Sequence, residues 1–141
     1  MKIAEFEFPD DLYYDKEHGW ARLDGDTVVQ GMTSYGQSIA GEIIYAEVPR
    51  AGRDVEQGKP FMSMESGKWV GRVQAIVSGK IAEANEELEF DSALINQSPY
   101  EEGWLVKIEA ANLQADLKKL LRATDPAYEA YVRAEIAKYA Q

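Results

Sequence analysis

The segment that sets a nucleophilic side chain in a defined turn is Met62-Ser63-Met64-Glu65-Ser66-Gly67-Lys68-Trp69-Val70-Gly71. β-like runs flank small residues, which places Lys68 at the tip of a hairpin. An amine there is open to a modifying enzyme, while the strands hold the backbone and Gly67 is expected to relax φ at the turn. Other reactive types are scarce. The chain has no cysteine, which excludes a disulfide scaffold, a Cys-ligated zinc or iron–sulfur centre and a cysteine nucleophile, so redox chemistry must come from an added group. A single histidine, His18, leaves too few parts for His-rich metal sites or most Ser/His/Asp hydrolase schemes.

The elements that must position Lys68 read as short strands bounded by Gly, Pro, Asn and Asp: Thr27–Met32, Glu42–Val48, Lys59–Met64, Val73–Val77 and Trp104–Ile108. Such a series predicts a sandwich or barrel. One short helix interrupts it near 33–40, where a capping Thr or Ser precedes Tyr35, Ile39 and Ala40. Ser78-Gly79, between apolar runs, predicts a two-residue hairpin. After residue 111 the pattern changes. Leu113, Leu117, Leu120 and Leu121 follow one helical face, and Asp125-Pro126 opens a second helix with a Tyr128, Val132, Ile136, Tyr139 stripe. A β domain over 1–111 with a helical extension over 112–141 packed on it is the expected organisation. The run Glu86-Glu87-Leu88-Glu89 reads as a solvated face.

The 141 residues include 25 Asp+Glu and 15 Lys+Arg, a formal charge of −10. Acidity is concentrated in 1–111, with 21 acids and 10 bases, against 4 acids and 5 bases in 112–141. So negative a surface, with no basic track, disfavours nucleic acid as a partner. No run approaches the roughly 18 apolar residues of a membrane span, and the N-terminus has no apolar signal core, so a cytoplasmic protein is expected.

Residues 12–109 resemble the glycine-cleavage H-protein family. Tyr14-Asp15-Lys16-Glu17-His18-Gly19-Trp20 is similar to the family's Y-x-K-E-H-E-W. Gly31-Met32-Thr33-Ser34-Tyr35-Gly36-Gln37 and Gly41-Glu42-Ile43-Ile44-Tyr45-Ala46-Glu47-Val48-Pro49 resemble G-I-T-x-Y-A-Q and G-D-I-V-F-V-E-L-P. Glu65-Ser66-Gly67-Lys68 stands for E-S-V-K, and Val77-Ser78-Gly79-Lys80-Ile81 for V-S-G-E-V. Leu94–Tyr100 and Gly103–Ile108 resemble the closing motif. The resemblance implies a mainly β fold with C-terminal helices, a flattened β-barrel or sandwich of the lipoyl/biotinyl (barrel-sandwich hybrid) type. It implies a non-catalytic carrier with lipoate amide-linked to Lys68, and Glu65, Ser66, Gly67 and Trp69 as the recognition turn. A tethered arm keeps its cargo at high effective concentration near each partner. A lipoate ligase or lipoyl transferase would load the lysine. A biotin carrier is disfavoured, because the biotinyl lysine normally lies between methionines.

The chain departs from the family where the cargo rests. In aminomethyl carriers a Glu after the His and an Asp four residues past the lysine hold the loaded amine; here these positions are Gly19 and Arg72. Counting those positions alone, the cleft formed by His18, Gly19 and Arg72 should favour an anion. Gly67-Lys68-Trp69-Val70-Gly71 also resembles the turn of H-protein-like lipoate-binding proteins in sulfur oxidation. The preferred expectation is therefore a carrier of a sulfur species serving a heterodisulfide-reductase-like sulfur-oxidising complex and dihydrolipoyl dehydrogenase. The alternatives are a glycine-cleavage carrier shuttling aminomethyl between glycine decarboxylase, aminomethyltransferase and dihydrolipoyl dehydrogenase, or a lipoyl-relay protein.

Overall fold

The strands β4 (Gly19–Asp24) and β5 (Thr27–Met32), which bury Trp20, Ala21, Val28 and Val29, pair antiparallel over their full length. The computed structural model describes residues 1–139 and builds two main sheets around that hairpin. The larger adds β3 (Tyr13–Tyr14), β7 (Asp54–Val55), β10 (Gly79–Ala84), β11 (Val106–Ala110) and β12 (Leu121–Arg122), in the order β12-β3-β4-β5-β11-β10-β7. The smaller is β6 (Ile43–Ala46), β8 (Pro60–Ser66) and β9 (Val70–Gln74), with β8 central. A separate N-terminal hairpin pairs β1 (Lys2–Ile3) with β2 (Phe6–Glu7). The sheets share one apolar core, in which Val28, Ile43, Met64, Ile76, Ile81 and Ile108 are fully enclosed. This is the expected mainly β sandwich with a C-terminal helix. At its centre the buried Gln30 amide donates to the Gln74 carbonyl at 2.8 Å and accepts from Ile76 N–H at 3.0 Å, joining β5 to the end of β9.

Helix α1 (Ser34–Ala40) forms where its cap predicts, with Thr33 Oγ1 accepting from Gly36 N–H at 3.1 Å. The Glu86–Glu89 segment is a 3-10 turn that exposes its glutamates and buries Leu88. A short helix, α2 (Leu94–Gln97), follows.

Two expectations fail for non-local reasons. Ser78-Gly79 makes no hairpin, because β9 ends at Gln74 in one sheet and β10 begins at Gly79 in the other. Gly79 serves close approach instead, since a Cβ there would lie 2.1 Å from the Glu109 carbonyl oxygen. The predicted 113–121 helix stops early: α3 covers Leu113–Leu117, and Leu121 pairs with Tyr14 in the sheet. An edge strand that satisfies backbone groups on β3 competes successfully with the last helical turn.

Helix α4 (Pro126–Tyr139) packs through Tyr128 and Val132 into a second apolar cluster with Ile3, Phe8, Leu12, Tyr14 and Trp20. Tyr128 stacks on Tyr14 with centroids 4.9 Å apart, and Phe8 meets both edge-on. Ile136 is partly buried there, while Tyr139, the last of the predicted stripe, is exposed. No helix among the described residues is long and apolar enough to cross a membrane.

Candidate functional site

The β8–β9 turn presents Lys68 as its sequence predicts. Ser66 N–H donates to the Trp69 carbonyl at 2.7 Å and closes the turn around Gly67 and Lys68. The buried Ser66 hydroxyl donates to the Ala40 carbonyl at 2.6 Å and accepts from Lys68 N–H at 3.2 Å, tying the tip to the end of α1. Lys68 is exposed, and among the described residues its amine makes no hydrogen bond or ion pair. Its methylenes run over Gly41, where a Cβ would lie 2.8 Å from Lys68 Cε and where φ is +88°. Gly67 is not the conformational hinge expected of it: its φ lies outside the left-handed region, and a Cβ there would meet nothing within 4 Å. Glu65 projects from the outer sheet face into solvent.

Beside the turn opens a cleft of about 470 Å³ whose lining includes His18, Gly19, Trp69 and Arg72, with Gln30 and Gln74 among its walls. The residues predicted for the arm and cargo are thus brought together. The Trp69 indole packs against Gly71, where a Cβ would fall 2.0 Å from the ring, and forms part of the cleft wall. Arg72 is exposed and has no ion-pair partner among the described residues.

The expected loss of acids does not describe this cleft. Asp15, Glu17 and Glu135 line it alongside Lys16, Arg72 and Lys138. Asp15 Oδ1 accepts from Gly19 N–H at 2.7 Å and Glu17 N–H at 2.9 Å, and a Cβ on Gly19 would sit 3.0 Å from Asp15 Oδ2. The space beside Gly19 is therefore occupied by a carboxylate from four residues earlier. Burial pushes the Asp15 carboxyl above the usual carboxylate range, and the N–H donors of Gly19 and Glu17 and the nearby His18 only partly offset this. Glu135 reaches the cleft from α4, where its Oε1 stands 3.1 Å from His18 Nε2. His18 has φ of +67° and packs against the rings of Tyr35 and Tyr131, with centroids 5.3 and 5.7 Å away. Asp15, Glu135 and Gly41 went unrecognised in the sequence. Only Asp15 leaves a local signal, an Asp preceding a Gly-containing turn. Among the described residues no group of His, Asp and Glu could hold a metal ion.

Comparison with known proteins bears on this arrangement. A family model described as glycine cleavage H-protein matches residues 12–135. The glycine cleavage system H protein of Brevibacillus brevis is 42% identical over 127 residues, which cover 90% of this chain and 98% of that protein. The probable glycine cleavage system H protein of Thermococcus kodakarensis is 40% identical over 134 residues, covering 94% and 98%. The crystal structure of a glycine cleavage system H protein from Mycobacterium marinum superposes with a TM-score of 0.78 at 28% identity, covering 90% of this chain and 99% of that one. These comparisons favour the aminomethyl branch over the sulfur-oxidation branch expected from the Gly67-Lys68-Trp69 turn. The chain belongs to the glycine cleavage H-protein family, whose members are non-catalytic carriers with lipoate held covalently on a lysine.

Proposed function

We propose that the chain is the lipoyl carrier of a glycine cleavage system, modified at Lys68 and serving glycine decarboxylase, aminomethyltransferase and dihydrolipoyl dehydrogenase. The observation that carries this reading is an exposed, unpartnered lysine amine on a turn fixed by Ser66, next to a cleft that retains carboxylates. The turn fits the group: nothing approaches the Gly67 Cβ position, and Gly41 leaves room for the lysine methylenes. When bound, lipoate supplies a pair of sulfurs on a long arm, in a chain that has no thiol of its own to trap them.

The chain's own residues do the rest. Ser66 keeps the attachment point in register with α1, so the arm swings from a fixed origin. Trp69 and Arg72, within four residues of Lys68 in the chain, line the cleft. Asp15 and Glu135 supply carboxylates inside it that can pair with a cationic amine. Gly19 and Arg72 alone would favour an anionic sulfur cargo, but Asp15, Glu17 and Glu135 balance the basic Lys16, Arg72 and Lys138 in the lining, which removes that preference.

Intact-mass measurement after incubation with a lipoate–protein ligase, lipoate and ATP should show the lipoyl increment on the wild-type chain and none on Lys68→Arg. Lipoylated protein should then support glycine–bicarbonate exchange with a glycine decarboxylase. A lipoyl increment on Lys68→Arg would move the site, and a lipoylated chain inert in exchange would remove the aminomethyl reading.

A further inference from the structure

Most of the large apolar side chains left in solvent lie near Lys68. Ile44, Tyr45 and Val70 are 58%, 57% and 74% exposed, and all three belong to the small sheet that carries the lysine turn. Their alignment follows from the pairing. Tyr45 faces Glu65 on β8, and Glu65 faces Val70 on β9, so the three residues form one row across the sheet. A bulge between Ile43 and Tyr45 inserts Ile44 as an extra residue, and both Ile44 and Tyr45 are exposed while Ile43 and Ala46 are buried. Phe90, 86% exposed, stands in the segment that Ser92 bonds to the β6 edge through the Ile43 carbonyl at 2.8 Å. Glu65 stands inside the row, exposed acids border it at Glu42, Glu47, Glu89 and Asp91, and among the described residues none of these five is in an ion pair.

We propose that the Ile44–Tyr45–Val70 row, extended by Phe90, is the docking surface for the enzyme that acylates Lys68, a partner presenting an apolar centre with a basic rim. This rests on Lys68 being the lipoylated residue. Reach selects the occupant. In the acylation the neutral Lys68 amine attacks the carbonyl carbon of an activated lipoyl donor. The amide C–N bond forms as the bond to the activating group breaks, and one amine proton is released. That enzyme must bring its active site to the lysine itself, so its footprint has to include backbone next to the turn, where Val70 is two residues from Lys68 and Glu65 three. An enzyme that acts at the far end of a loaded arm is under no such constraint. An exposed apolar row interleaved and bordered by unpaired acids, with Arg72 the basic exception on the Val70 strand face, fits a partner that presents an apolar centre and a basic rim.

The test uses the full chain carrying Ile44→Thr, Tyr45→Thr and Val70→Thr together, which places a polar residue of high strand propensity at each of these solvent-facing positions. With a lipoate–protein ligase, lipoate and ATP, kcat/KM for lipoylation should fall roughly 10-fold or more. Acetylation of Lys68 by a small reagent should proceed at the wild-type rate, showing that the fold and the amine are intact. Raising the salt concentration should slow lipoylation of the wild-type chain, as an acid-rimmed surface requires. Wild-type lipoylation kinetics in the triple variant would overturn the docking surface while leaving Lys68 in place. A lipoyl increment on Lys68→Arg would instead overturn the underlying assignment. If pre-lipoylated triple variant lost glycine–bicarbonate exchange while its lipoylation stayed normal, the surface would belong to the downstream enzymes and the proposal would fall.

Discussion

The lysine turn and the cleft beside it are built on opposite principles. At the turn one hydroxyl does most of the fixing: Ser66 holds the backbone, and the functional amine is left in solvent without a partner. In the cleft two acids are held by neighbours, Asp15 by two N–H donors and Glu135 by His18, whose ring packs against Tyr35 and Tyr131. A group that must be found by another protein gains from exposure, whereas a group that must select a cargo gains from prearrangement. The two regions should therefore respond to substitution differently.

The largest effect is expected in the cleft. Asp15→Asn keeps an oxygen for the Gly19 and Glu17 N–H groups but removes the charge, and glycine–bicarbonate exchange by the lipoylated protein should drop roughly 10-fold while lipoylation itself is unchanged. Stability should move the other way. Burial raises the Asp15 carboxyl above its ordinary value, so the folded chain binds that proton more tightly than the unfolded one. The stabilising contribution of the protonated form is complete below the unfolded value and is lost as pH rises through the folded one. The Asn variant avoids that loss. It should melt at higher temperature than wild type near pH 7 and match it near pH 4, read by thermal unfolding at both. A variant that exchanges normally and is no more stable at pH 7 would mean that Asp15 is an ordinary turn residue and the contrast between the regions is false.

A smaller effect is expected at the turn. Ser66→Ala leaves the Ala40 carbonyl and Lys68 N–H without their partner, at a cost of about 1–2 kcal/mol in urea unfolding. Lipoylation should slow modestly, because the tip loses its tie to α1 while the amine stays in solvent. A Ser66→Ala variant as stable as wild type would show that the strands alone fix the tip.

What was legible in the sequence divides along the same line. Local chemistry was readable: Thr33 caps α1, Thr27–Met32 is a strand to the residue, and the Glu65–Gly71 segment turns where its small residues lie. Where the outcome depended on distant chain, the reading failed. Gly79 looks like a turn glycine and is instead required by the carbonyl of Glu109, while Leu121 leaves a helical pattern to pair with Tyr14. The cleft's charge depends on distant chain in the same way. Gly19 and Arg72 were judged by the family positions they occupy, yet Glu135 arrives from a helix 117 residues away from His18. Asp15 is near enough to Gly19 to have been noticed, but its carboxylate became relevant only once the turn was seen to fold it onto that glycine.

The smallest effect should come from the glycine expected to relax φ at the lysine turn. Gly67 neighbours the lysine, but its φ is one that other residues adopt and its Cβ position is empty to 4 Å. Gly67→Val should shift the urea midpoint by the equivalent of no more than about 0.5 kcal/mol and leave the lipoylation rate close to wild type. Gly41→Ala, by contrast, faces both a φ of +88° and the Lys68 methylenes at 2.8 Å, so it should destabilise the chain and displace the lysine. A costly Gly67→Val beside a harmless Gly41→Ala would reverse the assignment and make the tip depend on its own flexibility. The opposite result would locate the glycine requirement at the end of α1, where the helix cap and the arm's path coincide, and would explain how a bulkier residue can stand before the lysine without altering the turn.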